Sequence, residues 1–226
     1  MECNEQAYKF EPIKEAETVI FDSVLETGID LAEVSIDLLC EDSILRDIPI
    51  LGTVFKLGKT VFSISRRMYI KKILIFAQEM QKGNVDKEIL QKHKERLLAD
   101  PKLYNSELET IVEYINRQVG YEKSKYYART YMLYLNQEIK YEEFILFSEI
   151  IDQMFLTDID TLKEIYEKNT LNTEDNYSAF PCKRLSNCGL IDFYNGMAVQ
   201  DPNSGAAILA KITYIGKYFG GNIYCF

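Results

Sequence analysis

Apolar residues recur at a mostly helical spacing from residue 13 to residue 42, through Val19, Ile20, Val24, Leu25, Ile29, Leu31, Ile36, Leu38 and Leu39, and this predicts a first long helix. Gly28 is placed to bend or divide it. Pro49 sets the next boundary and suits the opening turn of a second helix. The periodicity then runs from Ile50 to Met80, with an interruption at Gly58, until Gly83-Asn84 stops it. Further helices are predicted over 86–98, 106–119, 123–135, 141–155 and 157–168. Asp86 opens the first of these and Asp100-Pro101 closes it. Ser106 and Glu109 stand in capping-box spacing at the start of the second, and Gly120 follows its end.

After residue 168 the pattern changes. Residues 169–178 are polar, without helical spacing, and read as a linker. A short helix is expected over 180–188, ending at Gly189, and two strands over 190–194 and 207–212 flank a loop rich in Asn, Gly, Asp and Pro. Thr213 is positioned to cap a last helix through Tyr218. The expected fold is therefore mainly α: a multi-helix bundle over 1–168, a linker over 169–178, and a small C-terminal α+β winged-helix-like unit over 179–226.

Composition narrows the class. The 226 residues are 47% hydrophobic and 27% charged, which suits a globular chain able to bury its own core. The net charge of −9 argues against a general nucleic-acid coat, since phosphate binding needs a basic surface. Cysteines at 3, 40, 182, 188 and 225 form no CxxC pair and read as reduced thiols. The start, MECNEQAYKFEPIKEAET, carries acids and no apolar core, so cytoplasmic synthesis is expected. No stretch of 18 residues lacks charge, so no conventional membrane-spanning helix is expected.

Catalytic chemistry is hard to find. The single histidine, His93, lies in QKHKER and reads as a solvated surface residue between lysines. Cys182 and Cys188 have no histidine nearby and do not match zinc-ligand spacing. GTVFKLGKT resembles a phosphate loop, but five residues rather than four separate Gly52 from Gly58, and no strand precedes it. Glu142, Glu143, Glu149 and Asp152 read as a solvated acidic face rather than a cation site. The face of Tyr127, Tyr131, Tyr134 and Leu135 reads as core, with a stacking surface for bases as the alternative. No cofactor or metal is expected.

Charge is segregated along the N-terminal third. Residues 1–47 hold thirteen acids against Lys9, Lys14 and Arg46, whereas residues 48–72 hold Lys56, Lys59, Arg66, Arg67, Lys71 and Lys72 and no acid. On a helix, Gly52, Lys56, Lys59 and Ser63 share one stripe, while Ile50, Leu51, Val54, Phe55, Leu57, Val61, Phe62 and Ile64 cover the rest. Three readings of 48–65 are open. In one it is a core helix whose lysines reach acids of the preceding helix. In another it enters a bilayer as an oligomer with the Gly/Lys/Ser stripe facing water, because a lysine at the bilayer centre costs about 2.5–3.5 kcal/mol otherwise. In the third its cations bind the phosphates of a nucleotide or oligonucleotide. The acidic first helix is placed to mask the basic segment in a resting state under either active reading.

The stretch DIPILGTVFKLGKTVFSISRRMYIKKILIFAQEM resembles a pattern of small bacterial proteins in which an IPI-G turn leads an apolar Lys/Gly segment into a Lys-Lys-rich helix. The tail LSNCGLIDF…ITYIGKYF is similar to the end of the abortive-infection alpha family, through Gly189, Leu190, Ile191, Thr213, Gly216 and Phe219. Together these cover about two thirds of the chain. The resemblance implies a role in anti-phage defence, in which a helical effector paired with a nucleotidyltransferase or sensor, as in Hailong-type systems, damages the inner membrane. It carries no catalytic residues to transfer. The expectation is a non-enzymatic, homo-oligomeric effector, cytoplasmic until it associates with the inner membrane and restrained or triggered by a ligand or partner. Residues 48–65 would be its assembly segment, and Lys56, Lys59, Arg66, Arg67, Lys71 and Lys72 its gating or anion-contacting charges. The alternative is a soluble helical adaptor whose tail contacts nucleic acid or a partner protein.

Overall fold

The computed structural model describes residues 12–25, 31–33, 35, 64–83, 85–173, 176–196 and 207–225. The described chain is mainly helical, with one small three-stranded antiparallel sheet. It divides into two compact units, 1–145 and 146–226, the boundary falling inside a helix rather than at residue 168.

In the first unit, α1 (Pro12–Glu17) runs through a π-helical turn at Thr18–Asp22 into α2 (Ser23–Leu25). Of the expected first helix, Pro12–Leu25 is helical and Leu31–Glu33 forms a 3₁₀ turn, while residues 26–30, 34 and 36–42 lie outside the described residues. The central element is α3 (Ile64–Lys82), which is buried almost all round from Tyr69 to Met80. Two of its glutamines bind backbone groups of the N-terminal segment. Gln78 Nε2 donates to the Leu31 carbonyl (2.6 Å), and Gln81 takes the Ala32 amide (3.1 Å) and donates to the Ser23 carbonyl (2.6 Å). These bonds hold the N-terminal segment against the central helix.

Helix α4 (Lys87–Ala99) starts where Asp86 accepts the Glu88 and Ile89 amides, as the sequence predicts. Asp100 then caps α5 (Pro101–Arg117) in the same way, through Lys102 and Leu103. Asp100-Pro101 is therefore both a stop and a start, and Ser106, the expected cap, lies inside α5. Proline at the first helical position removes only an amide that had no helical partner, which is why the second helix begins five residues early. Helices α6 (Ser124–Leu135) and α7 (Tyr141–Gln153) follow, and α7 carries the unit boundary. Phe21, Phe76, Tyr127, Tyr131 and Phe144 are the large, fully enclosed side chains of this core.

In the second unit, a 3₁₀ turn (Leu156–Asp158) leads into α8 (Ile159–Lys168), which buries Leu162 and Ile165. The stretch expected to be a linker instead contains β1 (Thr170–Thr173). After α9 (Asn176–Asn187) come β2 (Ile191–Gly196) and β3 (Ala207–Ile212), close to the predicted strands. The sheet order is β1-β3-β2, with Leu171 opposite Ala210 and Phe193 opposite the same residue on the other side. Thr213 caps α10 (Tyr214–Phe219) as expected, accepting the Gly216 amide at 2.9 Å.

The short motifs of this tail form one junction. Gly189 takes a left-handed φ of +73° just after α9. Thr213 Oγ1 donates to the Gly189 and Leu190 carbonyls (2.8 and 2.9 Å). Gly216 lies so close that a Cβ there would sit 2.0 Å from the Leu190 oxygen. Phe219 is fully buried. Gly189, Leu190, Thr213, Gly216 and Phe219 thus lock the hairpin onto the end of α9.

Candidate functional site

Helix α4 places Ile89, Lys92, His93 and Arg96 along one face, by their spacing of three, four and seven residues. Helix α6 brings Tyr134 and Leu135 opposite, and the turn beyond adds Gln137 in a left-handed conformation at φ 61°. These residues line a half-open cavity of about 510 Å³. Behind it stands Glu107 of α5, with no exposed surface.

The Glu107 carboxylate is held by neutral donors. His93 Nε2 lies 2.6 Å from Oε1, the Tyr131 hydroxyl donates to the same oxygen at 2.7 Å, and the Tyr134 hydroxyl donates to Oε2 at 3.2 Å. Arg96 Nη2 donates to His93 Nδ1 (3.2 Å) and to the Tyr134 oxygen (3.0 Å). A guanidinium has donors only, so His93 Nδ1 presents its lone pair and Nε2 carries the proton toward Glu107. Two parallel relays therefore run from an exposed arginine to an enclosed carboxylate, one through imidazole and one through phenol. Burial and the Glu107 charge push the Tyr131 hydroxyl well above the usual tyrosine range and Tyr134 up to about 12, so both remain donors at neutral pH.

His93 is thus a buried network residue, not the solvated surface group that its lysine neighbours suggested. Lys92 and Lys94 do flank it in sequence. In space, however, Leu90, His93 and Leu97 share the inward face of α4, a three-and-seven spacing that was readable. Glu107 gave the same signal, since Glu107, Ile111 and Tyr114 fall on the buried face of α5. The tyrosine face is core, as expected, for Tyr127, Tyr131 and Leu135, while half-buried Tyr134 reaches the cavity.

Of the residues singled out for membrane or anion contact, those that are described do not line this cavity. Ile50, Leu51, Val54, Phe55, Leu57, Val61 and Phe62, with Lys56 and Lys59, lie outside the described residues. Ile64 opens α3 and is 78% exposed. Arg66 pairs with Glu15 of α1 at 3.1 Å, both side chains largely buried. Arg67 and Lys71 are half-buried on α3. Lys72 is buried, and its ammonium donates to the Asn116 and Gln118 carbonyls at the C-terminal end of α5, where the helix dipole favours a cation. Burial also pulls its pKa below the usual lysine value.

Among the described residues no helix is long and apolar enough to cross a membrane, and no group of three or more His, Cys, Asp and Glu side chains is placed to hold a metal ion. Neither a protein-family model, nor a curated protein, nor a solved structure matches the chain. The cavity offers two cations, a ring face and two aliphatic walls, which is binding chemistry.

Proposed function

We propose that this protein is a non-enzymatic anti-phage effector that assembles on the inner membrane through residues 48–65 and is held at rest by its acidic first helix. The observation that carries the reading is the Glu15–Arg66 ion pair, 3.1 Å long and 2% exposed on the Glu15 side. It ties the acidic end of the chain to the basic residues immediately following the apolar segment. Other bonds hold the acidic first helix to the rest of the bundle: Tyr104 of α5 donates to Glu17 at 2.8 Å, and Lys94 of α4 pairs with Asp22. An enclosed ion pair is a suitable latch, because breaking it leaves a desolvated charge that favours leaving for water or an anionic surface.

The test is induced expression of the full chain with fractionation and a membrane-potential dye. Glu15→Gln is expected to increase membrane association and depolarisation over wild type. Phe55→Asp is expected to abolish both while circular dichroism stays unchanged. The charge exchange Glu15→Arg with Arg66→Glu should restore the resting behaviour. A soluble, harmless protein in every arm overturns the proposal.

A second reading, a binding module, is favoured by one observation. The second unit sets a helix beside a β2–β3 hairpin in the sheet order β1-β3-β2, with Lys183, Lys211 and Lys217 exposed. This is the winged-helix-like reading of the tail, although one described helix rather than two lies between β1 and β2. Duplex DNA binding whose log–log salt slope is about −3 would support it, since three cations can displace about that many counterions.

A further inference from the structure

We infer that the cavity between α4 and α6 binds a small organic oxyanion, a carboxylate or phosphate carried on a planar or apolar body. The inference does not depend on the effector reading, because it concerns ligand binding by the first unit alone.

Arg96 is the central observation. It is exposed, yet its Nη2 edge is fixed by two bonds into the buried network, to His93 Nδ1 and to the Tyr134 oxygen. Both acceptors are neutral. Among the described residues no carboxylate lies within ion-pair distance of it, although this chain surrounds its other oriented arginines, Arg129 and Arg184, with Glu79 and Asp158. A guanidinium oriented by the fold and left without a carboxylate presents Nε and Nη1, the nitrogens that the network does not use, as charge-assisted donors to a carboxylate or phosphate. Orientation in advance lowers the entropy lost on binding.

The remaining walls specify the rest of the ligand. Lys92, one turn before Arg96 on the same face, adds a second cation whose nearest acid, Glu88, stands 3.9 Å away. The Tyr134 ring, Ile89 and Leu135 supply apolar surface for a ring or short chain. His93, 91% buried, closes the inner side and has both nitrogens engaged, so it shapes the site without competing for the anion. The volume of about 510 Å³ falls in the range of about 300–1,000 Å³ typical of small-molecule sites. Inorganic phosphate alone would leave the apolar walls uncovered, which is why an organic body is required.

His93 is the chain's sole histidine, so its imidazole signals report on the site without ambiguity. The experiment titrates benzoate, a nucleoside monophosphate and inorganic phosphate into the isotope-labelled full chain and follows those signals by NMR. Saturable shifts are expected with at least one organic anion, about tenfold tighter than with inorganic phosphate, and comparing benzoate with the monophosphate identifies the headgroup. Arg96→Gln should weaken binding about tenfold, the loss of a charge-assisted hydrogen bond. Should that variant lose its fold, Lys92→Gln and Ile89→Glu alter only the exposed rim. The first should weaken binding several-fold and the second more strongly, by removing an apolar wall and placing a carboxylate at the mouth. Shifts that never saturate, equal affinity for all three anions, or unchanged binding in Ile89→Glu would each refute the assignment.

Discussion

Glu107 in the first unit and Asp158 in the second are both enclosed carboxylates, and their surroundings solve the problem in opposite ways. In the second unit Asp158, 1% exposed, faces Arg184, which donates Nε to Oδ2 at 2.7 Å and Nη2 to Oδ1. The charge is cancelled on the spot, with the guanidinium also lying over the Phe155 ring. In the first unit Glu107 receives only neutral donors, and the compensating arginine stands one residue further out, at the cavity. A direct pair consumes its cation. A relayed pair satisfies the buried oxygen atoms and leaves the cation available to a ligand. The difference separates a structural brace from a candidate binding site using only the positions of the groups.

The strongest way to break this comparison is Glu107→Ala. His93, Tyr131 and Tyr134 would lose a shared acceptor inside the core, and a cavity would open. The expected cost is about 3–5 kcal/mol, from buried donors losing partners at about 1–3 kcal/mol each and from the missing side-chain volume. Glu107→Gln keeps one oxygen and should cost about half as much. Hydrogen exchange should localise the loss to α4, α5 and α6. A neutral effect would mean the network does not hold these helices together.

Arg184→Met is the counterpart in the second unit and should cost less, about 2–3 kcal/mol. It leaves Asp158 enclosed without its cation, but the Arg184 side chain is 37% exposed, so water can enter and relieve part of the penalty. Exchange should rise in α8 and α9. Equal costs for Glu107→Ala and Arg184→Met would erase the distinction between brace and relay as far as stability is concerned.

Much of this was legible from local chemistry. Asp86 and Thr213 announce helix starts because a capping side chain acts within three residues of itself, and Asp100-Pro101 announces the end of α4, although its second role as the cap of α5 was not read. Strands β2 and β3 were legible for the same reason, being bounded by turn residues. Strand β1 was not, since Thr170, Leu171, Asn172 and Thr173 are mostly polar and become a strand only by pairing with β3, some forty residues later. The relay was the least legible part. His93, Glu107 and Tyr131 come from three helices, and nothing local to any of them names the other two. The inward spacing of Leu90, His93 and Leu97 gave burial of the histidine but not its partners.

Alkaline pH probes the relay through its hydroxyls. Tyr134 is held up to about 12 and Tyr131 above the usual range, first by burial and then by Glu107. A tyrosine whose folded pKa exceeds its unfolded value of about 10 stabilises the fold below that pH, and the contribution is lost as pH climbs through the folded value. The first unit should therefore loosen as pH passes about 12, following tyrosinate absorbance. The Arg184–Asp158 pair should outlast it, because Asp158 holds Arg184 above the ordinary arginine value. Simultaneous loosening of both units would deny the hydroxyls a special part in the first.

The smallest expected effect sharpens the comparison most. Tyr134→Phe keeps the ring and removes one of the two relays. Glu107 retains His93 and Tyr131 at 2.6 and 2.7 Å, so the loss falls on the longest of its three bonds, at 3.2 Å. Stability should drop by only about 1 kcal/mol. Arg96 loses one of its two anchors but keeps His93 Nδ1, so its free donors should still be presented at the cavity with wider excursions. Oxyanion affinity is then expected to fall by less than the roughly tenfold loss in Arg96→Gln, while the salt dependence of binding stays the same because no charge has changed. If Tyr134→Phe instead matched Arg96→Gln in affinity, the phenol would be contacting the ligand itself, and the relay would reduce to the imidazole arm alone.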